Sequence, residues 1–169
     1  MLAKVEDAAL NAPFEIKDDI LNSYVYSYGG VSRFFRELKD NARIMATKCK
    51  GCGKVWCPPR VHCSDCYGDT EWVPLKGTGT VRGASYVFYV PRNYSLHNYI
   101  DLPYILGYIQ LDGADTWLYS AVFTPRLKLG EVKPGTRVQA VFRDQREGKL
   151  TDVYFVPIGR GAASRTGKQ

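Results

Sequence analysis

Cys49-Lys50-Gly51-Cys52-Gly53 and, ten residues further on, Cys63-Ser64-Asp65-Cys66 are the stretches on which the reading of this chain turns. Two Cys-x-x-Cys pairs at this separation supply four thiolates that can close a tetrahedral zinc site. Gly53 follows the first pair, where a residue free to take φ > 0 lets backbone amides point at a thiolate sulfur. Four sulfurs leave no open position for water or substrate. The metal expected at Cys49, Cys52, Cys63 and Cys66 is therefore structural, and its removal should unfold the module that it staples. Disulfides are the competing use of these residues, but the odd count of five cysteines and the lack of a signal peptide point to a reducing compartment and to zinc.

Cys57 lies between the pairs, in Val55-Trp56-Cys57-Pro58-Pro59-Arg60. Its spacing to the other cysteines makes no knuckle and no His-plus-acid arrangement stands beside it, so a packed or half-exposed free thiol is expected. His62 adjoins Cys63 and is a possible substitute ligand. With four cysteines available, a solvent-facing ring is the simpler expectation.

The chain has 169 residues, enough for a small stapled module plus a compact domain of roughly 80 residues. Hydrophobic residues make up 45% and aromatics 13%, so a packed core is available and wholesale disorder is excluded. No apolar run reaches the ~20 residues of a membrane span, so a soluble, cytoplasmic protein is expected. The net charge of +6 suggests an anionic partner, yet no dense Lys/Arg block exists, and the C-terminal tail carries Arg165 and Lys168 of the surplus. A nucleotide-like cofactor suits such a surface as well as nucleic acid does.

Along the chain, Leu2, Val5, Ala9 and Leu10 share one helical face, and Tyr24, Tyr26 and Tyr28 form an aromatic loop or strand. Phe34, Phe35, Leu38, Ala42 and Met45 recur at three and four, which predicts a helix from about Ser32 to Lys48 that packs on the body or faces a partner. After the cysteines the period becomes two. Strands are predicted over 78–90, with a bulge or bend at Gly83, and over 104–111, 116–123, 136–143 and 150–156. Asp112-Gly113-Ala114-Asp115 reads as a hairpin turn. Five short strands after a zinc ribbon predict a small closed barrel of the OB-fold type, giving an α+β chain divided as 1–48 helical extension, 49–76 ribbon, 77–158 barrel and 159–169 tail. The long connection 91–103 carries Tyr94, His97 and Tyr99. It is either a binding loop or a lid packed by its own Leu96 and Ile100.

The order helix, Cys-x-x-Cys-Gly, aromatic-x-Pro-Pro-Arg, Cys-x-x-Cys and five strands resembles the acyl-CoA-associated proteins that join a rubredoxin-like zinc ribbon to an OB-fold. The likeness spans residues 31–158, and Pro58-Pro59-Arg60 between the knuckles is its most specific part. Members of that family stand beside thiolase-superfamily enzymes: thiolases, hydroxymethylglutaryl-CoA synthases and thiolase-like aldolases, with the benzoylsuccinyl-CoA thiolases as one type. The resemblance implies a non-catalytic accessory subunit that docks on such an enzyme in a hetero-oligomer and helps to hold or channel a CoA thioester. Two departures stand out. Cys57 occupies a position that is more often aromatic, and the second knuckle reads Cys63-Ser64-Asp65-Cys66-Tyr67-Gly68 in place of the usual Cys-Pro-x-Cys-Gly.

A CoA thioester carries several phosphates, a pantetheine arm and an adenine, and a site for it wants a few Arg residues beside aromatic platforms. Trp56, Arg60, Arg82 and Arg92 are the candidates for CoA or partner contact, with Tyr86 and Tyr89 near them in sequence. The alternative function is nucleic-acid binding, with Arg137, Arg143 and Arg146 forming a groove on the barrel. Independent catalysis has little material: two His residues, no Gly-rich phosphate loop and no Gly-x-Ser-x-Gly elbow.

Overall fold

The computed structural model describes residues 24–91 and 94–159. The amphipathic stretch Leu2 to Leu10 and the tail beyond residue 159 lie outside the described residues.

Helix α1 (Ser32–Asn41) buries Phe34, Glu37 and Leu38. The helix ends earlier than its apolar spacing predicts. Ala42 takes a left-handed conformation at φ 47° and closes the last turn with its N–H on the Glu37 carbonyl. The Glu37 carboxylate, only 7% exposed, accepts hydrogen bonds from Asn41 Nδ2 at 2.7 Å and from Arg43 Nη2 at 2.7 Å, which fixes the stop. The residues after it form strand β1 (Ile44–Cys49). Ile44, Met45, Ala46 and Thr47 are buried in succession, a pattern that one face of a helix cannot accommodate and a central strand can.

β1 pairs antiparallel with β2 (Val55–Trp56) on one side and β3 (Thr70–Leu75) on the other, giving the three-stranded sheet β2-β1-β3. The chain then enters a closed barrel of β4 (Thr78–Val87), β5 (Tyr104–Leu111), β6 (Leu118–Val122), β7 (Arg137–Phe142) and β8 (Val153–Pro157), in the order β4-β5-β6-β8-β7 with β7 returning to β4. All neighbours are antiparallel except β6 and β8, which are parallel and meet at Val122 and Phe155. The result is the α+β architecture expected: a helix, a ribbon, then a five-stranded OB-type barrel. The register of β4 on β5 shifts between Val81 and Gly83, which leaves Arg82 as the extra residue of a bulge. Backbones approach so closely at Gly79 that a Cβ there would stand 2.7 Å from the Gln110 carbonyl oxygen.

Alternation along the strands sends Val81, Ile105, Ile109, Leu118, Val122, Val138 and Phe155 inward. The same core contains Phe34 and Leu38 of α1, Ile44 and Met45 of β1, and Cys57. The helix therefore buries its apolar face within the chain, which decides between the two alternatives in favour of packing on the body. A second apolar cluster lies outside the barrel, where Leu96, Tyr99, Ile100 and Leu102 cover Tyr104, Ala121 and Tyr154. Residues 96–102 of the connection thus pack as a lid. Arg143 Nη2 donates to the Tyr99 carbonyl at 2.6 Å and Tyr99 Oη donates to Glu147 at 2.7 Å, while Tyr94 remains exposed.

Candidate metal centre and the surface around it

The four cysteine sulfurs converge at one end of the ribbon sheet. All lie within 4.8 Å of one another, with Cys49 Sγ 3.4 Å from Cys66 Sγ and Cys52 Sγ 3.6 Å from Cys63 Sγ. Zn–S bonds of about 2.3 Å at tetrahedral angles put sulfurs roughly 3.8 Å apart, so this donor set fits zinc. The two knuckles repeat one backbone design. Gly53 N–H donates to Cys49 O and Tyr67 N–H to Cys63 O; Cys49 N–H donates to Lys54 O and Cys63 N–H to Gly68 O, all at 2.8–3.0 Å. The Cys52 N–H points at Cys49 Sγ at 3.4 Å.

This backbone also lowers two of the thiols, whereas at Cys52 the Lys54 amide is outweighed by the neighbouring Cys49 and Cys63 sulfurs, which push that thiol up to about 12. The Cys52 amide holds Cys49 below the ordinary thiol range. For Cys63, burial opposes ionisation, but the amides of Cys66 and Asp65 outweigh it and bring the thiol down to about 6. A lowered thiol pKa favours the metal-ligating thiolate. Zinc bound here would supply cross-linking rather than chemistry, since all four protein ligands are sulfurs. Gly51 and Gly68 complete the cradle: a Cβ at Gly68 would stand 3.4 Å from both Cys49 Sγ and Cys66 Sγ. His62 is not among these donors; its exposed ring stands 3.4 Å from Asp69.

Cys57 is 0% exposed in the common core, and burial pushes its thiol up to about 12. It is a packing residue, as inert as the neighbouring valines. Its backbone does more than its sulfur. Cys57 N–H donates to Thr116 Oγ1 at 2.8 Å and Thr116 Oγ1 donates back to Cys57 O at 2.9 Å. Two residues earlier, Val55 N–H donates to Asp115 Oδ2 at 2.7 Å and Asp115 N–H returns to Val55 O at 2.9 Å. Four hydrogen bonds thereby clamp the ribbon to the β5–β6 turn of the barrel.

Of the four candidate contact residues, the structure brings two together. Arg60 stacks its guanidinium over the Trp56 ring at 5.0 Å, with Lys54 Nζ also over that ring at 4.6 Å. Trp56 itself packs on Cys49 and Cys63. The Arg60 backbone is held from both sides: its N–H donates to Thr47 Oγ1 at 2.9 Å, and its carbonyl accepts from Thr47 Oγ1 at 3.0 Å and Thr70 Oγ1 at 2.8 Å. Arg60 is exposed and has no ion pair among the described residues. Arg82 stands instead on the barrel bulge, with Nε on Gln110 Oε1 at 2.7 Å. Arg92 lies outside the described residues. Sequence reasoning missed Thr47, Thr70, Asp115 and Thr116, because each acts on a partner distant in the chain.

The arginines of the proposed nucleic-acid groove are committed elsewhere. Arg137 forms a double hydrogen bond with Asp112, which holds that carboxyl well below the usual range; Arg143 donates to Thr151 O and Tyr99 O; Arg146 donates to Lys39 O and Arg143 O. Aromatic side chains are exposed on the outer barrel face at Tyr108, Tyr119 and Trp117, where Tyr108 and Tyr119 are cross-strand partners.

Residues 36–73 match the family described as the ChsH2 rubredoxin-like zinc ribbon domain, and residues 72–143 match the ChsH2 C-terminal OB-fold domain. A DUF35 domain-containing scaffold protein of Methanocaldococcus jannaschii is 31% identical over 138 residues, covering 76% of this chain and 91% of the relative. The chain belongs to the ChsH2/DUF35 family. Two solved structures share the fold of this family member. One, titled an Ltp2-ChsH2(DUF35) aldolase, is 20% identical with a TM-score of 0.58 and covers 79% of this chain and 98% of its own. The other, a DUF35 protein of unknown function from Sulfolobus solfataricus, is 19% identical with a TM-score of 0.56, covering 78% and 89%. No helix among the described residues is long and apolar enough to cross a membrane.

Proposed function

We propose that this chain is a non-catalytic accessory subunit of a thiolase-superfamily acyl-CoA enzyme, either a thiolase or a thiolase-like carbon–carbon lyase. It docks on the catalytic chain in a cytoplasmic hetero-oligomer and helps to hold or channel the CoA thioester. Residues 49–76 act as the zinc-stiffened ribbon and 77–158 as the barrel, with Trp56 and Arg60, joined by Arg82 and Arg92, meeting the CoA or the partner. Family membership supports the reading, as do a relative named as a scaffold and a structural neighbour named as an aldolase complex.

One observation carries it over nucleic-acid binding. The guanidinium groups that a nucleic-acid groove would use, Arg137, Arg143 and Arg146, spend their hydrogen bonds inside the fold. Arg60 is exposed, stacked on Trp56 and backbone-locked against the zinc ribbon. A rigid cation on an aromatic platform suits one phosphate or one carboxylate of a partner better than a long polyanion.

The test is a tagged pull-down from the native host with mass spectrometry and a metal assay, repeated with Cys49→Ser. Wild type should bring down a thiolase-type chain at stoichiometric yield together with zinc, and Cys49→Ser should lose both. Recovery of nucleic acid alone, or a zinc-free variant that assembles with normal activity, would overturn the proposal.

A further inference from the structure

The second zinc knuckle contains a contradiction that the fold does not resolve. Tyr67 and Gly53 occupy equivalent positions, each donating its N–H to the carbonyl of the first cysteine of its pair, and both have left-handed backbones, φ +59° and φ +77°. Glycine adopts that conformation freely, whereas a residue with a Cβ does so at a cost. An aromatic side chain in this position is normally retained only where something compensates the strain. Among the described residues nothing does: Tyr67 is 83% exposed. Gly51 and Gly68 lie against the sulfurs beside it, and the ring projects outward from the turn. Lys50 enters the same tip through its N–H on Asp69 O, is exposed, and has no ion pair among the described residues.

We infer that Tyr67 is an anchor residue that inserts into an apolar pocket on the catalytic partner chain, one with a hydrogen-bond acceptor at its floor and an acidic rim facing Lys50. The inference rests on the accessory-subunit reading above and names which part of the ribbon the partner grips. Tyrosine suits the role because it buries a large ring at little conformational cost while its hydroxyl demands an acceptor once desolvated. Restricting its backbone beforehand through zinc lowers the ordering cost of binding. The strain is thus stored in the free subunit, and the contact with the partner compensates it.

This assignment makes stability and binding move in opposite directions. Tyr67→Gly relieves the backbone, so the Tm of the isolated chain should rise by about 2–4 °C with zinc content unchanged. The same substitution should weaken assembly with the catalytic chain, recovered by co-purification with wild type, by about tenfold or more. Tyr67→Phe should keep the wild-type Tm and weaken assembly by about fivefold or more, because it leaves the acceptor at the pocket floor unpaired. A Tyr67→Gly chain that binds within about twofold of wild type would overturn this inference alone, as would a fall in Tm, which would reveal an internal role for the ring. Loss of self-association in that variant, seen by analytical ultracentrifugation without change in hetero-assembly, would reassign the pocket to a second copy of this chain. A wild-type chain that captures no partner would sink the subunit reading itself.

Discussion

Replacing Thr116 by Val tests whether ribbon and barrel are joined by the hydroxyl that bridges them. Thr116 Oγ1 accepts from Cys57 N–H at 2.8 Å and donates to Cys57 O at 2.9 Å. Valine keeps the shape and removes both bonds, leaving an N–H and a C=O of a fully buried residue without partners. Each such group costs about 1–3 kcal/mol. Thr116 is half-buried and water can relieve part of the loss, so a total of about 2–3 kcal/mol is expected, or a Tm lower by about 4–12 °C for a chain of this size. Calorimetry at fixed excess zinc, with zinc content measured on the same sample, reads the effect. Zinc occupancy should not change, because no ligand is touched. A Tm within about 1 °C of wild type would refute the reasoning, and so would a loss equal to that on zinc removal, since the hydroxyl would then be supporting the metal site itself.

Two further outcomes follow from individual groups. Hydrogen bonds from Asn41 and then Arg43 hold the Glu37 carboxyl below the ordinary glutamate range, against its burial. Its contribution is therefore present above the unfolded-state value and is lost as pH falls through the folded-state value. Chemical denaturation from pH 7 down to about pH 3 should show a steeper loss in wild type than in Glu37→Gln, and parallel curves would refute the assignment. Cys57, with its thiol pushed up to about 12 by burial, should resist iodoacetamide in the native protein. After chelation of zinc, the exposed Cys52 and Cys66 should be alkylated, as mass spectrometry of peptides would report; labelling of Cys57 while zinc is still bound would contradict its burial.

The cysteine cluster was legible because its meaning is carried by spacing within a few residues. The barrel strands were legible because Val138, Ala140 and Phe142 alternate with Arg137, Gln139 and Arg143, and in β7 those three pack on the barrel core while Val141 joins the outer cluster. The helix was over-extended for an identifiable reason: Ala42 and Met45 keep the helical interval, while the stop depends on the Glu37 carboxylate gathering Asn41 and Arg43. The clamp was invisible because Val55 and Asp115 are 60 residues apart, and a turn aspartate looks the same whether or not a distant amide finds it. For the same reason Arg137, Arg143 and Arg146 resembled free outward cations, whereas tertiary contacts had already claimed them. In the sequence Tyr67 is only a departure from a motif; its left-handed backbone gives that departure a physical meaning.

The shared apolar core that runs from α1 through Met45 and Cys57 to Phe155 bears on how this kind of protein can change over time. Two sequence families meet near residue 72, which invites a picture of interchangeable parts. Side chains on both sides of that seam fill one volume, so a ribbon transplanted from a relative would bring misfitting neighbours for Cys57 and Met45 unless the barrel changed with it. Innovation is thereby channelled outward, to the knuckle tips, the Arg60 platform and the barrel's aromatic face, where a substitution leaves the interior packing undisturbed. Divergence in what such a chain grips can proceed while the body that carries it stays nearly fixed.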